Sequence, residues 1–147
     1  MAQLQLPQDF KEFLKLLNKY EVEYLLIGGY AVAFYGFLRA TSDIDFWIAT
    51  NNQNANKMVE VLHEFGFTSG IGKELFLTKN KITKMGVPPL RIEVLNSIYG
   101  IEFEDCYAHR VVAKIDNEPV NFIALEHLKI NKKASGRTKD LNDLENL

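Results

Sequence analysis

The feature that most constrains this chain is a glycine pair at the end of a short apolar run. Residues 23–27 are apolar enough for a buried strand, Gly28-Gly29 follows, and residues 30–37 have the composition of a helix. Glycines allow close approach to the backbone, and free N–H groups at the start of a helix attract anions. The pattern predicts a strand–turn–helix unit able to bind phosphate, although an ordinary tight turn has the same sequence.

A second motif places two carboxylates at the start of the next predicted strand, residues 43–49. Alternate side chains of a strand share a face, so Asp43 and Asp45 point away from the core that Ile44 enters. Carboxylates about 7 Å apart along a strand repel each other in an apolar setting, and a divalent cation relieves that repulsion. Acids that simply face water are the alternative. Trp47 shares their face, where it packs beside the cleft or stacks on a base.

The third motif is an acid within the apolar strand predicted for residues 90–95. Ile92 and Val94 share the buried face, which leaves Glu93 on the other face. A third metal ligand, or a base for an attacking hydroxyl, explains a charge at this position. A salt bridge with Arg91 or with a lysine explains it equally.

The other segments alternate between helical and strand-like patterns, so we expect an α/β or α+β fold with helices packed on a mixed sheet. A turn is predicted at Asp116-Asn117, between the last two strands. Pro88-Pro89 lies in a predicted loop. Thr138 is expected to cap the last helix. The predicted helices are 7–19, 53–65, 102–108, 124–134 and 138–147, the predicted strands are 75–79, 110–115 and 119–123, and the predicted loop is 80–89.

Composition limits the class of protein. The chain has 147 residues, of which 47% are apolar, so we expect one domain spanning residues 1–147 with its own core. Cys106 is the single cysteine, which excludes an intramolecular disulfide. No apolar run reaches membrane-spanning length, and Met1–Phe10 does not resemble a signal peptide. We therefore expect a cytoplasmic protein, and the net charge of −2 argues against extensive coating of nucleic acid.

These motifs together resemble the signature of the nucleotidyltransferase (polymerase-beta-like) superfamily. The resemblance covers Leu-Ile-Gly-Gly-Tyr-Ala-Val-Ala-Phe-Tyr-Gly at 26–36 and Arg-Ala-Thr-Ser-Asp-Ile-Asp at 39–45. It extends to Arg-Ile-Glu-Val-Leu at 91–95 and to the Lys-rich segment 132–144. Small bacterial proteins related to AbiEii-type toxins of toxin–antitoxin systems, and uncharacterised relatives of these, are the most similar members.

The resemblance implies a metal-dependent transfer of a nucleoside monophosphate from an NTP to a hydroxyl of RNA (for example tRNA), a protein or a small molecule. A possible antitoxin partner follows from the same likeness. Two alternatives to nucleotide binding stay open. Arg39 could instead pair with Asp43, and Lys132 and Lys139 could simply be exposed lysines on helices. The implied metal ligands for Mg²⁺ (or Mn²⁺) are Asp43, Asp45 and Glu93, and the implied nucleotide-binding residues are Gly28, Gly29, Arg39, Lys132 and Lys139.

Two residues depart from the common pattern of catalytic members. Tyr30 stands where many of them have Ser or Thr, whose hydroxyl can bind a phosphate. Glu93 replaces the commoner Asp, and its extra methylene moves the oxygens by on the order of 1 Å, enough to matter for a positioned group. The alternative function is therefore a catalytically weak or inactive protein of the same fold that binds a nucleotide or a protein partner.

Overall fold

A mixed β-sheet of six strands is the centre of the fold, in the order β3-β4-β2-β1-β6-β5. The structure is a computed structural model that describes residues 5–87 and 90–147. The strands are β1 (Tyr24–Ile27), β2 (Asp43–Ile48), β3 (Ile82–Met85), β4 (Arg91–Leu95), β5 (Val111–Ile115) and β6 (Glu118–Phe122). The helices are α1 (Gln8–Lys19), α2 (Gly28–Phe34), α3 (Asn52–Phe65), α4 (Glu74–Leu77), α5 (Phe103–Tyr107), α6 (Leu125–Ser135) and α7 (Thr138–Glu145).

Strand pairing confirms the predicted mixed α/β class. β2 lies between β1, with which it pairs antiparallel, and β4, with which it pairs parallel. β1 also pairs parallel with β6, while β3 and β5 form the two edges through antiparallel pairs with β4 and β6. The strand β2, which begins with the two predicted acids, is therefore surrounded by other strands rather than exposed at an edge.

Each face of the sheet has its own hydrophobic core, because side chains alternate along every strand. On one face, Ile44, Phe46 and Ile48 of β2 pack with residues of α1 and α3. On the other face, Trp47 packs with residues of α2, α5 and α6. The first residues of β2 on this second face are Asp43 and Asp45, so the acids lie where the second core ends.

The helices follow the sequence signals closely. α1 begins after Pro7 and buries apolar residues at helical spacing, among them Phe10, Phe13 and Leu17. α3 begins at a cap in which the Asn51 side chain accepts a 2.8 Å hydrogen bond from the backbone N–H of Asn54, which satisfies a free donor of the first turn. The β5–β6 turn has positive φ at Asp116 and Asn117, as a tight hairpin turn requires.

Three local predictions are wrong. The strand predicted at 75–79 is instead the helix α4, in which Phe76 is buried against the first core. The loop predicted at 80–89 contains β3, a four-residue edge strand that pairs only with β4 among the described strands and is too short to show a clear alternation. Thr138 does not cap the last helix, since Arg137 is the N-cap residue and no side chain makes the capping hydrogen bond.

Two predictions fall partly or wholly on residues outside the described ranges. The predicted loop position of Pro88-Pro89 lies wholly outside them. The segment Met1–Phe10, for which no signal peptide is expected, has its first four residues outside them. None of the helices in residues 5–87 and 90–147 is both long and apolar enough to cross a bilayer.

Candidate active site

The three predicted acids lie on one face of two neighbouring strands. Asp45 of β2 and Glu93 of β4 are partners in the parallel register. Asp43 is the partner of Arg91 two residues earlier. The side chains of Asp43 and Glu93 are 26% and 16% exposed, so both keep access to solvent. The structure thus brings together, from positions 50 residues apart, the acids that the strand periodicity assigned to one face.

Asp45 is the most perturbed of these acids. Burial raises the pKa of Asp45 to about 7, helped by a hydrogen bond with Glu93 and by the negative charges of Glu93 and Asp43. Asp45 is therefore partly protonated near neutral pH, whereas an exposed aspartate would be fully ionised there. Such crowding of acids is typical of functional sites.

Basic side chains surround the acids. Arg91 Nη2 lies 3.4 Å from Asp43 Oδ2, and Lys84 Nζ lies 3.8 Å from Glu93 Oε1. The positive charge of Lys139 opposes the rise in the pKa of Asp45. The alternatives considered from sequence are thus partly observed: Glu93 pairs with a lysine, and Asp43 pairs with Arg91 rather than with Arg39.

Gly28 and Gly29 are glycines because other side chains occupy the space where a Cβ would be. At Gly28, with φ +70°, a Cβ would collide with the Asp45 carboxylate, whose Cγ would be 3.1 Å away. At Gly29 it would collide with Thr41, whose Cβ would be 2.9 Å away. The glycine pair therefore brings the backbone of the turn directly against Asp45 and Thr41.

Arg39 and Lys132 lie in a cluster of ion pairs with two buried aspartates of α7. The Arg39 guanidinium donates to both oxygens of Asp143, at 2.7 and 2.9 Å. Lys132 Nζ lies 3.2 Å from Asp140 Oδ1 and 3.0 Å from Asp143 Oδ2, and the lysine is 4% exposed. Direct contact of Lys132 with a nucleotide stays a prediction, and its present contacts are these two carboxylates.

Sequence reasoning did not predict the buried ion pairs of Asp140 and Asp143, although the type and spacing of these two residues are plain in the sequence. Both aspartates are fully buried, whereas the spacing of three indicated only a shared helix face. The missing information is the position of Arg39, which is 104 residues from Asp143 along the chain. No local pattern reports a contact at that separation.

The aromatic residues near the site belong to the cores. Trp47 is buried and packs edge-on against Phe103, with ring centroids 5.2 Å apart. Tyr30 is buried in the other core and packs against Phe10 at 6.1 Å. The packing interpretation is confirmed for both.

The donor chemistry of the acids fits a divalent metal ion, though the side chains do not already form a complete cage. Over the described parts of the chain, no group of three or more His, Cys, Asp or Glu side chains is arranged to hold a metal. Asp43 is turned toward Arg91, and burial together with the neighbouring acids raises the pKa of Asp45. A hard cation would compete for the same carboxylate oxygens and remove their mutual repulsion.

Two cavities lie away from the acids. One of about 230 Å³ lies between the start of α1 and β4, and is lined by Phe10, Met85 and Ile92 among others. The other, of about 440 Å³, is lined by Cys106 and His127. Neither contains the glycine pair or the acids of β2, so the chemistry of the side chains, rather than the size of a cavity, identifies the candidate site.

Comparisons with known proteins identify a matching family and solved structures of similar fold. The family model described as "Nucleotidyl transferase of unknown function (DUF2204)" matches residues 7–147. No curated protein sequence matches the chain.

Three solved structures have a similar fold. A candidate nucleotidyltransferase of Thermotoga maritima, TM1012, has a TM-score of 0.65 at 14% identity, with 99% of this chain and 95% of that chain covered. The antibiotic-resistance factor ANT(2'')-Ia has a TM-score of 0.60 at 10% identity, covering 93% and 79%. The lincosamide antibiotic adenylyltransferase LnuA, bound to lincomycin, has a TM-score of 0.57 at 16% identity, covering 97% and 96%. At these identities the likeness establishes the fold alone.

Proposed function

Because the chain belongs to the DUF2204 family of nucleotidyl transferases, we propose that it transfers a nucleoside monophosphate from an NTP to a hydroxyl group. The observation that supports this most is the pairing of Asp45 with Glu93 in register, directly against Gly28. Acids crowded enough to raise the pKa of Asp45, beside a glycine pair and paired with Lys84 and Arg91, suit a metal-bound triphosphate.

Asp43, Asp45 and Glu93 would hold Mg²⁺ or Mn²⁺. The ion would supply positive charge against the triphosphate and the attacking oxygen. Glu93, or its partner Asp45, accepts the proton of the acceptor hydroxyl. The acceptor oxygen then forms a bond to the α-phosphorus as the bond to pyrophosphate breaks.

The basic residues would neutralise the leaving group. Arg39 lies beside Gly29, and the charge of Lys139 acts on Asp45, so we assign both residues to the phosphates, together with the backbone of Gly28 and Gly29. Lys132 would act on the phosphates indirectly, because it binds Asp140 and Asp143.

A transfer assay tests this proposal. The purified protein is incubated with each of the four α-labelled NTPs, Mg²⁺ and cell extract. We expect label in an acceptor with the wild type and at least a hundredfold less with Asp45→Asn, since charge stabilisation of this kind is worth factors of 10² or more. Asp105→Asn, an exposed acid on α5, is the matched control and should transfer normally. No transfer by the wild type, or equal transfer by Asp45→Asn, would reject the enzyme.

The burial of Tyr30 favours the second candidate, a protein that binds the nucleotide without turnover. Its ring packs in the first core, and it stands where many catalytic members have a Ser or Thr hydroxyl, so one phosphate contact is expected to be lost while the backbone contacts remain. Calorimetry distinguishes the two functions. Tight binding of Mg·NTP with no product after hours supports the second candidate, and absence of binding rejects it as a nucleotide-binding protein.

The acceptor and the biological setting are also proposals. The acceptor is RNA such as tRNA, a protein, or a small molecule, as the resemblance to nucleotidyltransferases implies. A toxin-like role with an antitoxin partner, in the cytoplasm of a bacterium, follows from the likeness to AbiEii-type toxins. Identification of the labelled product in the transfer assay would decide among the acceptors.

A further inference from the structure

The feature that the proposed chemistry does not yet explain is a pair of acids buried in α7. Asp140 and Asp143 are both 0% exposed. An isolated buried carboxylate is strongly destabilising, so these two need partners. The structure supplies three cations, Arg39, Lys132 and Arg137, for the two aspartates.

The contacts of the two aspartates fix the orientation of the side chains they bind, which loose charge pairing would not do. Asp143 binds the planar Arg39 guanidinium through two nearly parallel hydrogen bonds of 2.7 and 2.9 Å, an arrangement that fixes orientation as well as distance. Asp140 accepts from Arg137 Nε at 2.7 Å and from Ser135 Oγ at 2.6 Å. Lys132 bridges the two aspartates and so joins both arginines in one network.

Both arginines lie near the candidate site, and Arg39 is in contact range of the glycine pair. Arg39 Nη1, which does not bind Asp143, would lie 3.4 Å from a Cβ at Gly29 and donates a 3.3 Å hydrogen bond to the carbonyl of Ala40. Arg137, which Asp140 holds, is close enough to Asp45 and Glu93 to feel their negative charges. The Arg39 guanidinium is thus held beside Gly29, and the Arg137 guanidinium is held by Asp140 within range of the charges of Asp45 and Glu93.

We propose that Asp143 and Asp140 are positioning residues, which hold the Arg39 and Arg137 guanidinium groups where they bind the triphosphate of the nucleotide. The inference rests on the proposed function, because it needs a nucleotide in this site. It gives α7 a role in phosphate recognition although neither aspartate touches the ligand. The network has three positive and two negative charges, so one positive charge remains to meet the phosphates.

The test compares Asp143→Asn with the wild type by calorimetry, using Mg²⁺ with ATP, GTP, CTP and UTP, and the corresponding nucleoside of whichever NTP binds most tightly. We expect Asp143→Asn to weaken NTP binding about tenfold or more while nucleoside binding stays within about twofold. The matched control is Glu145→Gln, an exposed acid of the same helix, which should bind as the wild type does. A role confined to folding would weaken both ligands together and would overturn the inference.

A double-mutant cycle covers the case in which Asp143→Asn is poorly folded. Arg39→Lys keeps a cation beside Asp143 but removes the two-point contact, and we expect intermediate NTP affinity with normal stability. Asp143→Asn added to Arg39→Met should cause no further loss of NTP affinity, because the arginine it positions is gone. Full additivity, or unchanged NTP binding by Asp143→Asn, overturns the inference and leaves the proposed function intact. Failure of the wild type to bind any of the four NTPs overturns the proposed function, and the inference with it.

Discussion

At the scale of single residues, the identity of Gly28 is set by its neighbour Asp45. The residue has φ +70°, and the carboxylate of Asp45 fills the position of a side chain. Gly70 has a similar φ of +75° but open space around its Cα. The two glycines therefore separate the effect of backbone conformation from that of the close contact in the site.

We expect Gly28→Ala to lower the free energy of unfolding by about 1–3 kcal/mol more than Gly70→Ala does, because only the first adds an atom to an occupied space. Both variants share the backbone strain of a left-handed conformation. Urea denaturation of the two variants beside the wild type measures the difference. Equal losses would show that Asp45 does not lie against this turn.

Asp45 also predicts a pH dependence of stability. Its pKa in the folded chain is raised to about 7, whereas an unfolded Asp titrates near pH 4, so the folded state holds the proton more tightly. The stabilisation is complete below about pH 4 and is lost as the pH rises through about 7.

The metal-free protein should therefore show a falling Tm between pH 5 and pH 8, and Asp45→Asn should show a smaller slope. Millimolar Mg²⁺ should raise the Tm most at pH 8, where the acids are ionised, because a ligand that binds only the folded state stabilises it. Scanning calorimetry in both conditions checks this. The same slope in Asp45→Asn as in the wild type would assign the pH dependence to other groups.

At the scale of secondary-structure elements, the ion network joins α6 to α7. Lys132 Nζ lies within 3.2 Å of both buried aspartates. Burial alone would raise the pKa of Asp140 and of Asp143, but hydrogen bonds from the surrounding cations outweigh it and lower both. This stabilisation is present above pH 4 and is lost as the aspartates become protonated at lower pH.

Lys132→Met should cost about 3–5 kcal/mol of folding free energy, since it leaves buried carboxylates with one cation fewer. It should also move acid unfolding to higher pH, because the pKa values of the two aspartates rise. Lys133→Met, an exposed neighbour on the same helix, should change neither. Denaturant and acid titrations followed by circular dichroism measure both effects, and similar behaviour of the two variants would contradict the network.

The elements themselves show where sequence patterns are sufficient. The helix α1 and the strands β2 and β4 have clear periods of 3.6 and 2, so their extents and buried faces are predicted well. The segment Glu74–Leu77 is short and continuously apolar, a case in which periodicity does not distinguish helix from strand. β3 is only four residues long, and its alternation does not mark a buried face because Ile82 is exposed while Met85 is buried.

At the scale of the whole molecule, the sequence predicts those parts of the site that depend on local strand patterns, but not those that depend on long-range packing. The alternation along β2 and β4 placed Asp43, Asp45 and Glu93 on shared faces, and the register of the sheet brings those faces together. The cluster around Asp143 depends on how α7 packs on the segment after α2. That packing joins residues about 100 positions apart and has no sequence pattern of its own.

The central claim is that Asp43, Asp45 and Glu93 bind one metal–nucleotide complex beside Gly28-Gly29. The most direct measurement is a crystal structure with Mn²⁺ and a non-hydrolysable NTP, in which anomalous scattering locates the ion. We predict an anomalous peak bonded to carboxylate oxygens of at least two of the three acids, with the triphosphate between the ion and the glycine turn. A nucleotide bound elsewhere, or no anomalous peak at these acids with Arg91 still paired to Asp43, would contradict it.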